Sequence, residues 1–189
     1  MNITNDLKPL GIDDVANSSW FYEKNWLIVG TGHSIEKWTP ELKQEYNIWT
    51  INAAISHTKY ADIAAIHDQV IYYDIKKFIQ NDFDYRYILT RTPNIQKQPN
   101  TCYVQLECDT KYRDLGLKQY PRLNSSAFAF RFLGERFKNI YSIGIDGGNK
   151  VSELMPEFYQ NHENGQNFDA HNGFIPIFKK EFGFNHIKL

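Results

Sequence analysis

The sequence predicts an α/β fold, a Rossmann-like three-layer sandwich with a mostly parallel sheet and helices on both faces. Short apolar runs recur along the chain, and segments with helical spacing lie between them. The first run, residues 25–30, ends in glycine, which is typical of a strand buried on both faces of a parallel sheet. Strands that alternate with helices form right-handed βαβ units, and such units build a parallel sheet covered on both faces.

The other elements follow in order from local patterns. Thr39 and Pro40 suit the N-cap and the first position of a short helix over 40–46. A later helix is predicted to begin near Ser125, and Gly183 is predicted to end the last helix. The remaining predicted elements are strands over 48–52, 61–66, 85–90, 102–106 and 140–146, a turn of helix between the first two of these, a last helix over 175–182 and a terminal strand around Ile187.

Length and composition limit the class of protein. With 189 residues, the chain is expected to form one Rossmann-like domain over 1–189, with an N-terminal arm over 1–25 and a lid or insertion over 91–123. Hydrophobic residues make up 42% of the chain and no apolar run has membrane-spanning length, so neither a disordered chain nor a membrane span is expected. The 21 Lys and Arg residues almost balance the 22 Asp and Glu residues, so duplex nucleic acid is not an expected partner.

Two further features concern the compartment and the assembly. The N-terminus lacks a charged segment followed by an apolar stretch, which predicts a cytoplasmic protein. Cys102 and Cys108 have the spacing of neither a zinc pair nor a redox CxxC motif, so both are expected as packing residues with free thiols. The aromatic content of 15% fits either a homo-oligomer interface or the core.

The first candidate site is the glycine loop, Gly30-Thr31-Gly32-His33-Ser34, between the first strand and the next helix. Its glycines would let backbone N–H groups approach a phosphate, and Ser34 would add a hydroxyl donor. The loop lacks the third glycine of a dinucleotide fingerprint and the lysine of a P-loop. Ligands of open α/β sheets bind beyond the carboxyl ends of the strands, which favours a ligand loop over a simple tight turn.

Other polar residues follow predicted strands and would share that edge of the sheet. Asn52 ends the second strand and suits a ribose or a base, or else it is only a turn former. Asp68 and Gln69 follow the third strand, where neighbouring His67 is better explained as structural. Asp146 ends a later strand and could meet a sugar hydroxyl. No DxD pair is present, so no metal site is predicted.

Two further segments carry candidate residues. Asn124, Ser125 and Ser126 precede a predicted helix, where they would cap it and, with its free N–H groups, could also bind an anion. The polar segment 162–172 is predicted to be a loop, with His162 or His171 as a general base. The alternative is an exposed loop in which Asp169 caps the last helix.

The order of these motifs resembles that of the bacterial sialyltransferases of the lipooligosaccharide type. The similar segments are residues 26–34, Ile51-Asn52, 124–126, 140–146 and the 162–171 segment before the final helix. The same skeleton is similar to the related superfamily of 6-hydroxymethylpterin diphosphokinase-like proteins. Two features differ from the sialyltransferase pattern: His33 stands where proline is usual, and the middle region is much shorter than the nucleotide-covering lid.

The resemblance implies a function and a role for each residue. Gly30, Gly32 and Ser34 would lie along the phosphate of a cytidine nucleotide-sugar, Asn52 near the phosphate or sugar, and Ser125 and Ser126 beside the donor. A histidine late in the sequence would be the general base, and His162 is preferred over His171 for this role.

Three hypotheses follow. The first is a metal-independent glycosyltransferase that uses a nucleotide-activated sugar, such as a CMP-sugar, and a hydroxyl-bearing acceptor, with no prosthetic group. The second is a diphosphokinase-like phosphoryl transferase, which would need Mg²⁺ and clustered carboxylates such as Asp68 and Asp146. The third is a non-catalytic nucleotide-binding module.

Overall fold

The computed structural model describes residues 10–67, 71–75, 83–90, 100–103, 124–147, 151–160 and 165–189. Within this part of the chain, eight strands form one sheet in which every neighbouring pair is parallel. The strands are β1 Leu10–Gly11, β2 Asn25–Val29, β3 Tyr46–Ile51, β4 Tyr60–Ala65, β5 Asp84–Thr90, β6 Thr101–Tyr103, β7 Asn139–Ile143 and β8 Asn185–Lys188. The predicted α/β class and the parallel sheet are therefore confirmed.

The strand order reverses beside β2. The sheet runs β1-β6-β5-β4-β3-β2-β7-β8, so the chain builds outward from β2 to β6 and then returns to place β7 on the other side of β2. Ile28 of β2 pairs with Trp49 of β3 on one side and with Ser142 of β7 on the other. The carboxyl ends of β2 and β7 thus form a topological switch point, where ligands of open α/β sheets bind.

Helices cover both faces, because side chains of each central strand alternate between two cores. Trp26 and Ile28 of β2 belong to one core, and Leu27 and Val29 belong to the other. The first core packs against helices Ile12–Ala16, Ser125–Gly134 and Gly165–Phe182. The second packs against the 3₁₀ helix His33–Lys37, helices Leu42–Glu45, Ala54–Thr58 and Glu157–Gln160, and a helical segment at 71–75.

The N-terminal arm is part of this body. Residues Leu10 and Gly11 pair with β6, and the 3₁₀ helix Ser19–Tyr22 brings Phe21 into the first core with no exposed surface. The carbonyl of Phe21 accepts hydrogen bonds from the indole N–H of Trp26 and the side-chain amide of Asn47. Trp20, Phe21 and Tyr22 therefore form a short 3₁₀ helix that is packed against the main body.

Several predicted boundaries are corrected. The short helix begins at Leu42 rather than Pro40, because a 3₁₀ helix and an extended residue at Trp38 come first. β7 ends at Ile143, since Gly144 adopts a positive φ of 65°. Of the predicted 91–123 insertion, residues 101–103 are a strand of the sheet, and 91–99 and 104–123 lie outside the described residues. No helix in the described ranges has the length and apolar character needed to span a membrane.

The largest correction concerns the last helix. It runs over Gly165–Phe182, so residues 165–172, predicted to be part of a loop, are helical, and Asp169 lies inside the helix rather than at its cap. Glycine and asparagine are weak helix formers, which is why the local pattern suggests a loop here. Burial of Phe174 and Phe178 in the first core stabilises the helix beyond that propensity. The end of the helix at Gly183, with a φ of 72°, is confirmed.

Candidate functional site

The glycine loop, residues 30–34, lies at the switch point and is bonded along its length to the segment that follows β7. The Gly30 amide donates to the Ile143 carbonyl at 2.9 Å, and the Gly32 amide donates to the Gly144 carbonyl at 2.8 Å. These bonds continue the β2–β7 ladder past the last residues of both strands. Two of the loop amides that were predicted to contact a phosphate are thus already bonded within the protein.

The glycines are required by this close approach. A Cβ atom on Gly30 would overlap the Gly144 carbonyl oxygen, and one on Gly144 would overlap the Gly30 carbonyl oxygen. A Cβ atom on Gly32 would lie 2.5 Å from Oδ2 of Asp146. The sequence left two interpretations of the loop open, and the packing of two backbones gives the glycines a structural reason that needs no ligand.

Ser34 and Asp146 form a second connection between the same two segments. The backbone amide of Ser34 donates to Oδ2 of Asp146 at 2.8 Å, and the Ser34 hydroxyl donates to Oδ1. The same hydroxyl accepts from the Gly144 amide at 2.7 Å. The Ser34 proton that was predicted to reach a phosphate is therefore directed to Asp146, although both residues stand at the predicted edge.

Two other amides of the loop are not bonded in this way. Among the described residues, the N–H groups of Thr31 and His33 have no hydrogen-bond acceptor. The Thr31 carbonyl accepts from the Ser152 amide at 2.8 Å, which brings the segment 151–160 over the edge of the sheet. Thr31 is buried and His33 is exposed. The loop therefore retains two backbone donors for a ligand.

Asn52 lies beyond the end of β3 in a left-handed conformation, with a φ of 50°. Asparagine adopts this conformation more readily than most residues. Its backbone amide donates to the Ala65 carbonyl at 2.9 Å, and its side-chain Nδ2 donates to the hydroxyl of Tyr159 at 3.3 Å. Its Oδ1 atom is buried and has no partner within the described ranges. A buried carbonyl oxygen without a donor is costly, and a ligand group would relieve that cost.

Tyr159 was not predicted as a site residue. It lies in the helix Glu157–Gln160, is 4% exposed, and reaches Asn52 from a segment more than 100 positions away in sequence. Nothing in the local pattern around Tyr159 distinguishes it from an ordinary core tyrosine. Only its contact with Asn52 places it at the candidate site.

His67 and Ser125 connect the end of β4 to the start of the helix Ser125–Gly134. Nδ1 of His67 and Oγ of Ser125 are 2.7 Å apart, and both residues are buried. Capping of this helix by Asn124 is confirmed, because its Oδ1 accepts from the Ala127 amide at 2.8 Å. Ser126 also donates to that oxygen, at 3.3 Å. The predicted role of the two serines in ligand binding stays a prediction.

The remaining predicted residues are placed only in part. Asp68, Gln69 and His162 lie outside the described residues. The backbone of His171 belongs to the helix Gly165–Phe182, and its side chain also lies outside the described part. Across the described ranges, no group of three or more His, Cys, Asp or Glu side chains is arranged to hold a metal ion.

The fold of this chain has counterparts among solved structures. No protein-family model matches the chain, and no curated protein matches it. Solved structures do match. The sialyltransferase CstII from Campylobacter jejuni in complex with the substrate analogue CMP-3FNeuAc gives a TM-score of 0.56 at 16% identity, over 88% of this chain and 81% of that chain.

A second structure, of CST-II with a trisaccharide acceptor and CMP, gives a TM-score of 0.56 at 15% identity over the same shares of the two chains. The chain thus has a sialyltransferase-like α/β fold, and the predicted resemblance is confirmed at that level. The likeness to the diphosphokinase-like superfamily stays a prediction.

Proposed function

We propose that this protein is a metal-independent glycosyltransferase of the sialyltransferase type, with a nucleotide-activated sugar as donor and a hydroxyl-bearing molecule as acceptor. One observation carries the proposal. Asn52 is held in a left-handed conformation beyond the end of β3, next to the switch point, with Oδ1 buried and unpaired among the described residues. The fold around it is that of enzymes crystallised with CMP and with CMP-3FNeuAc, which makes a CMP-sugar the first donor to test.

The donor site would use groups from two strand ends and from the start of one helix. The N–H groups of Thr31 and His33 would donate to the phosphate oxygens, and Asn52 would bind the ribose or the sugar. Ser125 and Ser126 lie in the first turn of a ten-residue helix, where the helix dipole favours an anion such as the donor phosphate. These groups would hold the donor in place and stabilise the charge of the departing phosphate.

The transfer step needs a base on the acceptor side. A histidine, His162 first and His171 second, would take the proton from the acceptor hydroxyl while that oxygen forms a bond to the anomeric carbon of the sugar. The bond from the anomeric carbon to the phosphate oxygen breaks, and the nucleoside monophosphate leaves with the electron pair. General-base assistance of this kind is worth about 10² to 10⁴-fold in rate.

Ligand binding is the decisive first test. We expect CMP and a CMP-sugar to raise the melting temperature in a panel that also contains UDP, GDP, ATP and their sugars. A ligand at 100 times its Kd stabilises a fold by about 2.7 kcal/mol. Asn52→Leu should remove the shift, and Lys59→Ala, which removes an exposed side chain from the left-handed position that ends helix Ala54–Thr58, should retain it. If none of the nucleotides shifts the wild-type melting temperature, the proposal is wrong.

Turnover tests the chemistry. His162→Ala or His171→Ala should lower kcat and leave donor binding unchanged, and normal turnover in both variants would exclude the histidine mechanism. Activity abolished by a chelator and restored by Mg²⁺ would favour the phosphoryl transferase. Nucleotide binding without turnover of any donor would favour the binding module.

A further inference from the structure

We propose that Ser34 and Asp146 are positioning residues. Their hydrogen bonds, called the lock below, hold the glycine loop against the segment after β7. This lock directs the Thr31 and His33 N–H groups at the donor. Neither Ser34 nor Asp146 touches the donor itself. The inference rests on the proposed function for the identity of the donor. It differs from the expectation that Ser34 and Asp146 are themselves ligand contacts.

Ser34 and Asp146 are joined by more than one hydrogen bond. Both carboxylate oxygens of Asp146 accept from Ser34, one from the backbone and one from the hydroxyl. The hydroxyl also accepts from the Gly144 amide. Hydrogen bonds to a charged acceptor are stronger than those between neutral groups. Ser34 is thereby fixed at its backbone and at its side chain, and it has no proton left for a phosphate.

The 3₁₀ helix His33–Lys37 lacks a capping side chain at its own N-cap position. Its N-cap is Gly32, which has no side chain to accept from an amide of the first turn. Oδ2 of Asp146 accepts from the Ser34 amide in the place where a capping side chain would act. A residue 112 positions away therefore supplies the cap, so the conformation of the loop depends on β7.

A donor between these bonds stays unpaired. The Gly30 and Gly32 amides face β7, where they are bonded to Ile143 and Gly144. The N–H of Thr31, between them, has no acceptor among the described residues. The neighbour of β2 on its other side is β3, and Asn52 follows β3. The lock therefore holds the unpaired Thr31 donor at the edge of the sheet where Asn52 also lies.

The lock itself can be tested in the free protein by amide hydrogen exchange. Asp146→Ala should speed exchange at the Ser34 amide, and Ser34→Ala should speed exchange at the Gly144 amide, each by about tenfold or more, since each variant removes the acceptor of that amide. Glu36→Gln is the matched control, because it removes an exposed carboxylate from the same 3₁₀ helix. Unchanged exchange in both alanine variants would overturn the proposal.

Donor binding tests the consequence. We expect each alanine variant to raise the Kd for CMP about tenfold and the double variant to raise it no further, because residues that act as one unit are not additive. Ser34→Thr keeps the hydroxyl and should restore most of the affinity. Val15→Ala controls for lost stability, since it lies in the arm helix Ile12–Ala16, and should leave the Kd within about twofold.

The outcomes separate the two proposals. If wild-type protein binds CMP and the alanine variants bind it equally well, the positioning role is wrong and the proposed function stands. If the single effects add in the double variant, Ser34 and Asp146 act separately and the lock is wrong. If wild-type protein does not bind CMP, both the proposed function and the direction of the loop toward a donor fall, and hydrogen exchange still decides whether the lock exists.

Discussion

Gly144→Ala measures how much the close contact between the glycine loop and the segment after β7 contributes to stability. Gly144 and Gly183 both have positive φ, 65° and 72°, so alanine at either position costs about 1–2 kcal/mol for the left-handed conformation. A Cβ atom on Gly183 has nothing within 4 Å, whereas one on Gly144 overlaps the backbone of Gly30. Forcing that overlap apart adds about 1–3 kcal/mol.

Separation of the loops would also weaken the two backbone bonds of Gly30 and Gly32, each worth about 1 kcal/mol. The total for Gly144→Ala is about 4–7 kcal/mol, against about 1–2 kcal/mol for Gly183→Ala. In a chain of this length, 1 kcal/mol lowers the melting temperature by about 2–4 °C. We therefore expect a decrease of about 8–28 °C for Gly144→Ala and about 2–8 °C for Gly183→Ala.

The assay is urea denaturation of the two variants and of wild-type protein, followed by fluorescence of the buried Trp26 and Trp49. The slope with urea should stay the same in all three, so that the midpoints report stability. A free energy of unfolding for Gly144→Ala equal to that of Gly183→Ala would refute the reasoning, because the backbone contact would then contribute nothing.

Three further predictions concern the core. Burial, together with the nearby charges of Lys188 and Lys179, lowers the pKa of His186 from 6.5 to about 4. The unfolded chain therefore binds the proton at a higher pH than the folded chain does. Stability should accordingly fall as pH decreases from 6.5 toward 4. The loss, roughly 3 kcal/mol from the pKa difference, is reduced to about 1–2 kcal/mol by solvent screening of this partly buried ring, and His186→Gln should remove the pH dependence. Burial raises the pKa of the Cys102 thiol to about 12. In a Cys108→Ser variant, a thiol reagent at about pH 8 should therefore react with Cys102 only after unfolding. Rapid labelling of the native protein would contradict this prediction. Phe21→Ala should cost about 3–5 kcal/mol in urea denaturation, because the ring is fully buried against Trp26, and a loss below 1 kcal/mol would show that the arm is not docked.

Local patterns predict the strands because burial on both faces leaves a distinctive apolar run. The predicted strand 48–52 overlaps β3, Tyr46–Ile51, and the predicted 61–66 overlaps β4, Tyr60–Ala65. Helix boundaries are less well predicted where packing outweighs propensity. The helix Gly165–Phe182 begins ten residues before the predicted 175, since the buried rings at 174 and 178 stabilise a polar first half.

The site is predicted in position but not in its connections. Sequence order places Ser34, Asn52 and Asp146 after strands, and parallel strands bring those positions to one edge. Which of them meet depends on strand order, and local patterns do not contain it. Placement of β7 directly beside β2 pairs Ser34 with Asp146, and the segment 151–160 brings Tyr159 to Asn52.

The glycine loop shows why a glycine pattern after a strand has two valid interpretations. Contact between two backbones and contact between a backbone and a phosphate both require the absence of a Cβ atom, so the residue types cannot distinguish them. The amides can. Gly30, Gly32 and Ser34 donate within the protein, and Thr31 and His33 have no acceptor among the described residues. The glycines therefore serve the fold on the β7 side, and the loop donors left for a ligand are the N–H groups of Thr31 and His33.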